Sequence, residues 1–188
     1  RKKVGLACSI STDSVIFLYD VETKEPRNLC KPADYQAPAV EPTKSLSTQG
    51  VNQQAADYNL GYDTNPKFSP DGRYLAWLSM ERDGYESDRN RLCIYDLKEE
   101  TKSYITESFD SGVDDYGWAP DSNTLYFIGV WHGTENLYKT NLKGEVKQLT
   151  KDLADFGSLQ VISNTSLLAE RHSFFEPSDL YMVTPGDS

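Results

Sequence analysis

The sequence predicts an all-β fold, a partial β-propeller of about three and a half four-stranded antiparallel blades. Three observations carry that expectation. Four short segments place a leucine or isoleucine before a tyrosine: Phe17-Leu18-Tyr19-Asp20, Cys93-Ile94-Tyr95-Asp96, Asn136-Leu137-Tyr138-Lys139 and Asp179-Leu180-Tyr181-Met182. The intervals Tyr95 to Tyr138 and Tyr138 to Tyr181 are each 43 residues, and Tyr19 to Tyr95 is 76. A period of about 40–45 residues with several short strands per unit marks a propeller blade. Second, Phe68-Ser69-Pro70-Asp71-Gly72-Arg73-Tyr74-Leu75-Ala76-Trp77 aligns with Trp118-Ala119-Pro120-Asp121-Ser122-Asn123-Thr124-Leu125-Tyr126-Phe127. In each an aromatic ends a strand, a Pro-Asp turn follows, and alternating apolar residues open the next strand. Third, no stretch of 12 residues has a helical period. A β-sandwich is the competing fold for such turn spacing, and the repeated 43-residue interval argues against it.

Taken in order, residues 1–30 are expected to be a partial blade with strands near 4–10, 15–21 and 26–30, and residues 31–63 a loop insertion. A blade at 64–106 has strands near 64–68, 73–80, 91–97 and 102–106. The next, 113–149, has strands near 113–118, 124–130, 136–141 and 145–149. An incomplete blade at 157–183 has three, near 157–162, 166–171 and 178–183. Glu22-Thr23-Lys24-Glu25 and Leu142-Lys143-Gly144-Glu145 are hairpin turns between outer strands. The insertion carries Pro32, Pro38 and Pro42 with polar runs, too little apolar surface for a core of its own.

Composition narrows the function. Of 188 residues, 19 are basic and 29 acidic, a net charge of −10 that argues against a nucleic-acid partner. The longest apolar run, Val15–Tyr19, is far short of the roughly 18 residues of a membrane helix. Two histidines, His132 and His172, leave little for a histidine-based metal site. Asp152 and Asp155, with Asp114 and Asp115 nearby, could hold calcium only weakly, since their spacing matches no known calcium loop; no metal and no cofactor are expected. Cys8 and Cys93 fall in expected strands as small apolar residues, and Cys30, at a strand end, is the expected exposed thiol. The chain begins at Arg1 without a methionine, which reads as a piece of something longer.

The residues Asn65-Pro66-Lys67-Phe68-Ser69-Pro70-Asp71-Gly72-Arg73-Tyr74-Leu75-Ala76-Trp77 resemble the WD-like repeat of TolB-type propellers and of prolyl oligopeptidase-family serine peptidases. Their continuation, Leu78 to Leu92, with Trp131-His132-Gly133-Thr134 and Ser178-Asp179-Leu180-Tyr181, resembles the dipeptidyl peptidase V-type and acylaminoacyl peptidase-like branch of that family. The resemblance implies a propeller that screens peptide substrates for a C-terminal α/β-hydrolase domain carrying Ser, Asp and His. It also implies a periplasmic location, with the cytoplasm as the alternative. No Gly-x-Ser-x-Gly elbow occurs, so no catalytic residue is expected in this chain and the hydrolase domain is expected to be missing from it.

In a four-strand meander the loops between second and third strands share one face with the inter-blade connections. That face is expected to gather residues 81–90, 131–135 and 173–177 together with the insertion. A dipeptidyl peptidase must hold a free α-ammonium, which calls for carboxylate, and aromatic groups suit an apolar side chain. The candidate substrate-binding residues are Glu81 and Glu86 for the ammonium, Trp131 as an apolar wall, and Arg82, Tyr85 and His132 beside them. The expected role is substrate gating and recognition of the peptide N-terminus in a serine exopeptidase. The alternative is a non-enzymatic TolB-like interaction propeller. Exposed blade edges are also expected to favour self-association.

Overall fold

The computed structural model describes residues 14–31, 59, 61–82, 85 and 87–184. The strand expected at 4–10, Cys8, Glu86 and most of the 31–63 insertion lie outside the described residues. Among the described residues there is no helix, and the strands form four antiparallel sheets in simple meander order. The first sheet holds β1 (Phe17–Tyr19) and β2 (Pro26–Asn28). The second holds β3 (Asp63–Phe68), β4 (Tyr74–Ser79), β5 (Arg91–Asp96) and β6 (Thr101–Tyr104). The third holds β7 (Val113–Trp118), β8 (Thr124–Trp131), β9 (Thr134–Asn141) and β10 (Lys147–Gln148). The last holds β11 (Asp155–Ser163), β12 (Ser166–His172) and β13 (Asp179–Val183). The chain is an all-β partial propeller.

Sheets stack face to face because their middle strands are apolar on both sides. On β4, Leu75 and Trp77 pack with Ile16, Leu29 and Cys30 of the preceding sheet, while Ala76 and Leu78 pack with Val113, Tyr116 and Trp118 of the following one. On β8, Leu125 and Phe127 face back into that second seam, and Tyr126 and Ile128 face forward against Phe156, Leu159 and Leu167. Period-2 alternation therefore sorts side chains between two neighbours instead of between core and water. The fit is close: a Cβ on Gly117 would sit 2.8 Å from Val161 Cγ2 across the seam.

The turns between first and second strands differ in residue and agree in conformation. Gly72 has φ 73° and Ser122 has φ 55°, so serine takes the left-handed conformation that glycine adopts without strain. Each turn is tied to the next sheet: Asp71 N–H donates to Ser122 Oγ at 3.0 Å, and Asp121 N–H donates to Asn164 Oδ1 at 3.1 Å.

The fourth strands are closed by a repeated clip. The N–H of Leu29, Ile105 and Leu149 donates to the carbonyl of Ile16, Leu92 and Leu137 respectively, at 2.8–3.0 Å. The next side chain takes the N–H of the same third-strand residue: Leu92 N–H to Thr106 Oγ1 at 2.8 Å, and Leu137 N–H to Thr150 Oγ1 at 2.9 Å. In the first sheet the acceptor is Cys30 Sγ, 3.1 Å from Ile16 N. The expectation that Cys30 is exposed is thus wrong: it occupies the clip position and is fully buried.

Pairing also corrects the repeat. Trp77 opposes Cys93, and Phe127 opposes Tyr138, so the counterpart of Tyr138 is Cys93 and not Tyr95. The slip of two residues keeps tyrosine on the same face, which is why the sequence interval conceals it. Tyr138 and Tyr181 do correspond, opposing Phe127 and Ala169, which both face back toward the preceding sheet.

A buried polar group anchors the point where the chain enters β3. Asp63 Oδ1 accepts from Trp77 Nε1 and Asn59 Nδ2, each at 3.0 Å, and Ser14 Oγ donates to its carbonyl at 2.7 Å. Asn59 N–H reaches Cys30 O at 2.8 Å, which brings a residue late in the insertion beside the one that precedes it. Cys30 and Asn59 therefore meet between the first two sheets.

Two expectations follow from these contacts. Thr106→Val keeps the shape of the clip but strands the Leu92 N–H, and is expected to lower unfolding free energy by about 1–3 kcal/mol in urea titration. Cys30→Thr, which restores the residue used in the other two clips, should cost less than about 1 kcal/mol. Burial raises the Asp63 carboxyl above its ordinary value of 3.8, so the folded chain holds that proton more tightly than the unfolded one. Its contribution to stability is complete below the unfolded value and declines as pH rises through the folded one. The thermal midpoint of Asp63→Asn should accordingly fall less than that of wild type between about pH 4 and pH 7, and an equal fall would sink the assignment.

Candidate functional site

Strand direction sets two rims. The turns at 70–72 and 120–122 lie on one, with those at 97–100 and 141–144. The opposite rim gathers the segments between β4 and β5, β8 and β9, and β12 and β13, together with the inter-blade connections.

The β4–β5 segment carries Glu81, Arg82 and Tyr85 within reach of one another. Asp88 holds the segment closed: it accepts the Arg82 N–H at 3.0 Å and Arg82 Nε at 2.9 Å, with Nη2 as a further donor. Arg82 lowers the Asp88 carboxyl below its ordinary value, chiefly by hydrogen bonding. The guanidinium lies 4.1 Å from the Tyr85 ring centroid. Arg82 is thus engaged inside its own segment, while the Glu81 side chain stands on the exposed surface. Glu86 lies outside the described residues.

Trp131 and His132 come from a different structure than sequence suggests. β8 and β9 run on to a two-residue turn, with Trp131 opposite Thr134 and both His132 (φ 51°) and Gly133 (φ 82°) left-handed, the geometry of a type I′ hairpin. His132 is therefore an exposed turn residue, 4.3 Å ring to ring from Trp131. Trp131 is half-buried against the seam beneath it. The connection from Ile105 to Gly112 runs between the two candidate groups. Arg89 donates to the carbonyls of Glu107, at 2.8 Å, and Phe109, and Val130 N–H donates to Ser111 Oγ at 3.3 Å. Phe109 fills the space below, edge-on to Phe127 and Tyr138 with centroids 5.2 and 4.9 Å away. Glu81, Arg82 and Tyr85 thus form one group and Trp131 with His132 a second, on one rim.

Sequence reasoning weighed Asp114 and Asp155 only against a calcium loop and did not join them to Glu135, with which they make a third group. Glu135, Asp114 and Asp155 converge: burial raises the Glu135 carboxyl, and the Asp114 and Asp155 charges push it further in the same direction. Burial alone raises Asp114. His172 Nε2 approaches Asp155 at 3.9 Å. These residues sit in separate strands, β9, β7, β11 and β12, so only pairing across two sheets assembles them. No set of three His, Cys, Asp or Glu residues suited to a metal ion occurs among the described residues. Asp115, beside Asp114 in sequence, points elsewhere: it pairs with Lys67 at 3.2 Å and accepts the Leu159 N–H at 3.1 Å, joining three sheets. On the same rim Phe174 and Phe175 are 94% and 90% exposed, their rings edge to face at 5.1 Å.

Chemically, this rim offers carboxylates, aromatic faces and a guanidinium already engaged. That combination suits a cationic or amine-bearing ligand with an apolar neighbour.

Asp88→Ala should release the segment: amide hydrogen exchange at Arg82 is expected to speed at least about tenfold, with β4 and β5 unchanged. Exchange unaltered at Arg82 would show that the clasp does not hold it.

Comparison with known proteins bears on this geometry. Residues 11–175 match the family model described as dipeptidyl peptidase IV (DPP IV) N-terminal region. A dipeptidyl-peptidase 5 of Porphyromonas gingivalis is 39% identical over 186 residues, covering 98% of this chain and 23% of the relative. One from Porphyromonas endodontalis is 38% identical over 184 residues, covering 97% and 23%. The chain therefore spans under a quarter of the length of these relatives. Among solved structures, puromycin hydrolase superposes with TM-score 0.56 at 18% identity, covering 69% of this chain and 21% of that one. TolB from Acinetobacter baumannii superposes with TM-score 0.54 at 14% identity, covering 95% and 37%. At those identities the likeness concerns the fold alone.

Proposed function

The chain belongs to the family of dipeptidyl peptidase IV N-terminal regions, and from that premise we propose that it is a substrate-gating segment of the propeller of a serine exopeptidase that recognises the free N-terminus of peptides. The reading is carried by one observation: a match along 98% of the chain to a much longer dipeptidyl-peptidase 5. Catalysis is then the work of an α/β-hydrolase domain outside this chain, and the location is the periplasm.

In this reading the rim bearing Glu81, Tyr85, Trp131 and His132 faces the substrate. Glu81 and Glu86 supply carboxylate for the α-ammonium, Trp131 a wall for an apolar side chain, and Arg82 holds the first group in place through Asp88. Glu135 with Asp114 and Asp155 adds negative potential along the same rim, favouring entry of cationic N-termini.

The test is kinetic, on the full-length protein. Hydrolysis of dipeptidyl chromogenic substrates with free and acetylated N-termini is compared between wild type and Glu81→Ala or Glu86→Ala. Loss of a charge-assisted contact should lower kcat/KM on free-amine substrates by about tenfold or more, and leave acetylated ones within about twofold. Equal losses on both, or none, would remove these residues from N-terminus recognition.

A further inference from the structure

The outer face of the last sheet carries a carboxylate where its counterparts carry hydrocarbon. Leu78 opposes Leu92, Ile128 opposes Leu137, and Glu170 opposes Leu180, so the three are equivalent. Leu78 and Ile128 each face forward into a seam, against Val113 and Tyr116 in one case and Phe156 and Leu159 in the other. Glu170 faces the same way. Ser158 Oγ donates to its Oε2 at 3.1 Å and Ser178 Oγ to its Oε1, and the two hydroxyls hold the carboxyl below its ordinary value. Around it lie apolar groups: Leu180 is 66% exposed and Met182 62%, and Leu168 is half-buried. An open groove of about 360 Å³ runs past Glu170, Gly157 and Ser178.

Among the described residues the backbone pattern at this place differs from that of the other sheets. Ile16, Leu92 and Leu137 each give their carbonyl to a fourth strand and their N–H to the cysteine or threonine that ends it. Leu180 is the fourth member of that series. Its N–H turns to the adjacent Asp179 carboxylate at 2.8 Å.

We propose that this face is a charge-keyed seam, covered by a further segment of the longer protein that lays a strand on β13 and aims a lysine or arginine at Glu170. The Ser158 and Ser178 hydroxyls favour the charged form of Glu170, and a charge covered in such a seam calls for a cationic partner, because desolvation without one is costly. Charge argues against a second copy of the chain as occupant: it would bring Glu170 to its like, and the chain carries −10 overall. The relatives, more than four times as long, contain ample chain to supply the segment. The inference rests on the proposed function only in needing that longer protein.

The experiment is carboxyl footprinting of the full-length protein with a water-soluble carbodiimide and glycine ethyl ester, read by mass spectrometry. Hydrolysis of dipeptidyl substrates is measured on the same sample. Glu170 is expected to be labelled at least tenfold more slowly than the exposed Glu99 and Glu145, at every protein concentration. Labelling at their rate overturns the seam, and protection seen only at high concentration assigns the face to a second copy and overturns it too. Glu170→Leu should lower the thermal midpoint by leaving the partner cation unpaired. A midpoint unchanged or raised, as a seam like those of Leu78 and Ile128 would allow, overturns the cation. A protected Glu170 in a protein without peptidase activity upholds the seam and sinks the proposed function; an active enzyme with a freely labelled Glu170 does the reverse.

Discussion

The seam between neighbouring sheets is the constraint on which the rest of the structure depends. β4 and β8 are apolar on both faces, so neither of their sheets can shield its own hydrocarbon. Burial of each large side chain such as Trp77 or Phe127 contributes on the order of 1.5–3 kcal/mol, and only when the adjacent sheet is present. Stability is thus shared between neighbours, as in other repeating folds. The sheets at either end pay for this with exposed apolar groups, Phe17 and Tyr19 at one and Ile162, Leu180 and Met182 at the other.

Hydrocarbon alone would let the sheets slide, and polar contacts at the two rims prevent it. On one rim, turn-to-turn bonds from Asp71 to Ser122 and from Asp121 to Asn164 set the spacing. On the other, the threonine and cysteine clips close each fourth strand onto its third. Between them Asp115 ties β3, β7 and β11 through Lys67 and Leu159. Cys30 and Thr106 are withdrawn from water, so their bonds are worth more than a surface ion pair.

That framework explains how a candidate site arises from segments with no common sequence pattern. Connections that alternate between rims deliver every second-to-third-strand segment, and the Cys30–Asn59 contact, to the same side. A family whose members include dipeptidyl peptidases can vary those segments while the seams stay intact. The Arg82–Asp88 clasp and the His132-Gly133 turn are two independent means of stiffening such a segment.

Much of the fold was legible in the amino-acid sequence because its determinants are local. Short apolar runs in Tyr74–Ser79 and Thr124–Trp131, Pro-Asp turns, and the absence of helical period specify strands and their order without reference to distant partners. Glu81, Arg82 and Tyr85 could be placed together because they are neighbours in the chain. What depended on pairing was not legible. The sequence interval from Tyr95 to Tyr138 conceals a two-residue slip, since a shift of two leaves every side chain on its face. Cys30 reads as a strand-end thiol, yet its burial depends on accepting the Ile16 N–H, a contact set by the third-to-fourth-strand register. Glu135, Asp114 and Asp155 come together only when sheets are stacked, and Glu170 differs from Leu78 and Ile128 only once the strands are in register. Sequence by itself determined the kind of strand and the repeat; tertiary structure decided which residues meet, because hydrogen-bond register and seam packing act between residues far apart in the chain.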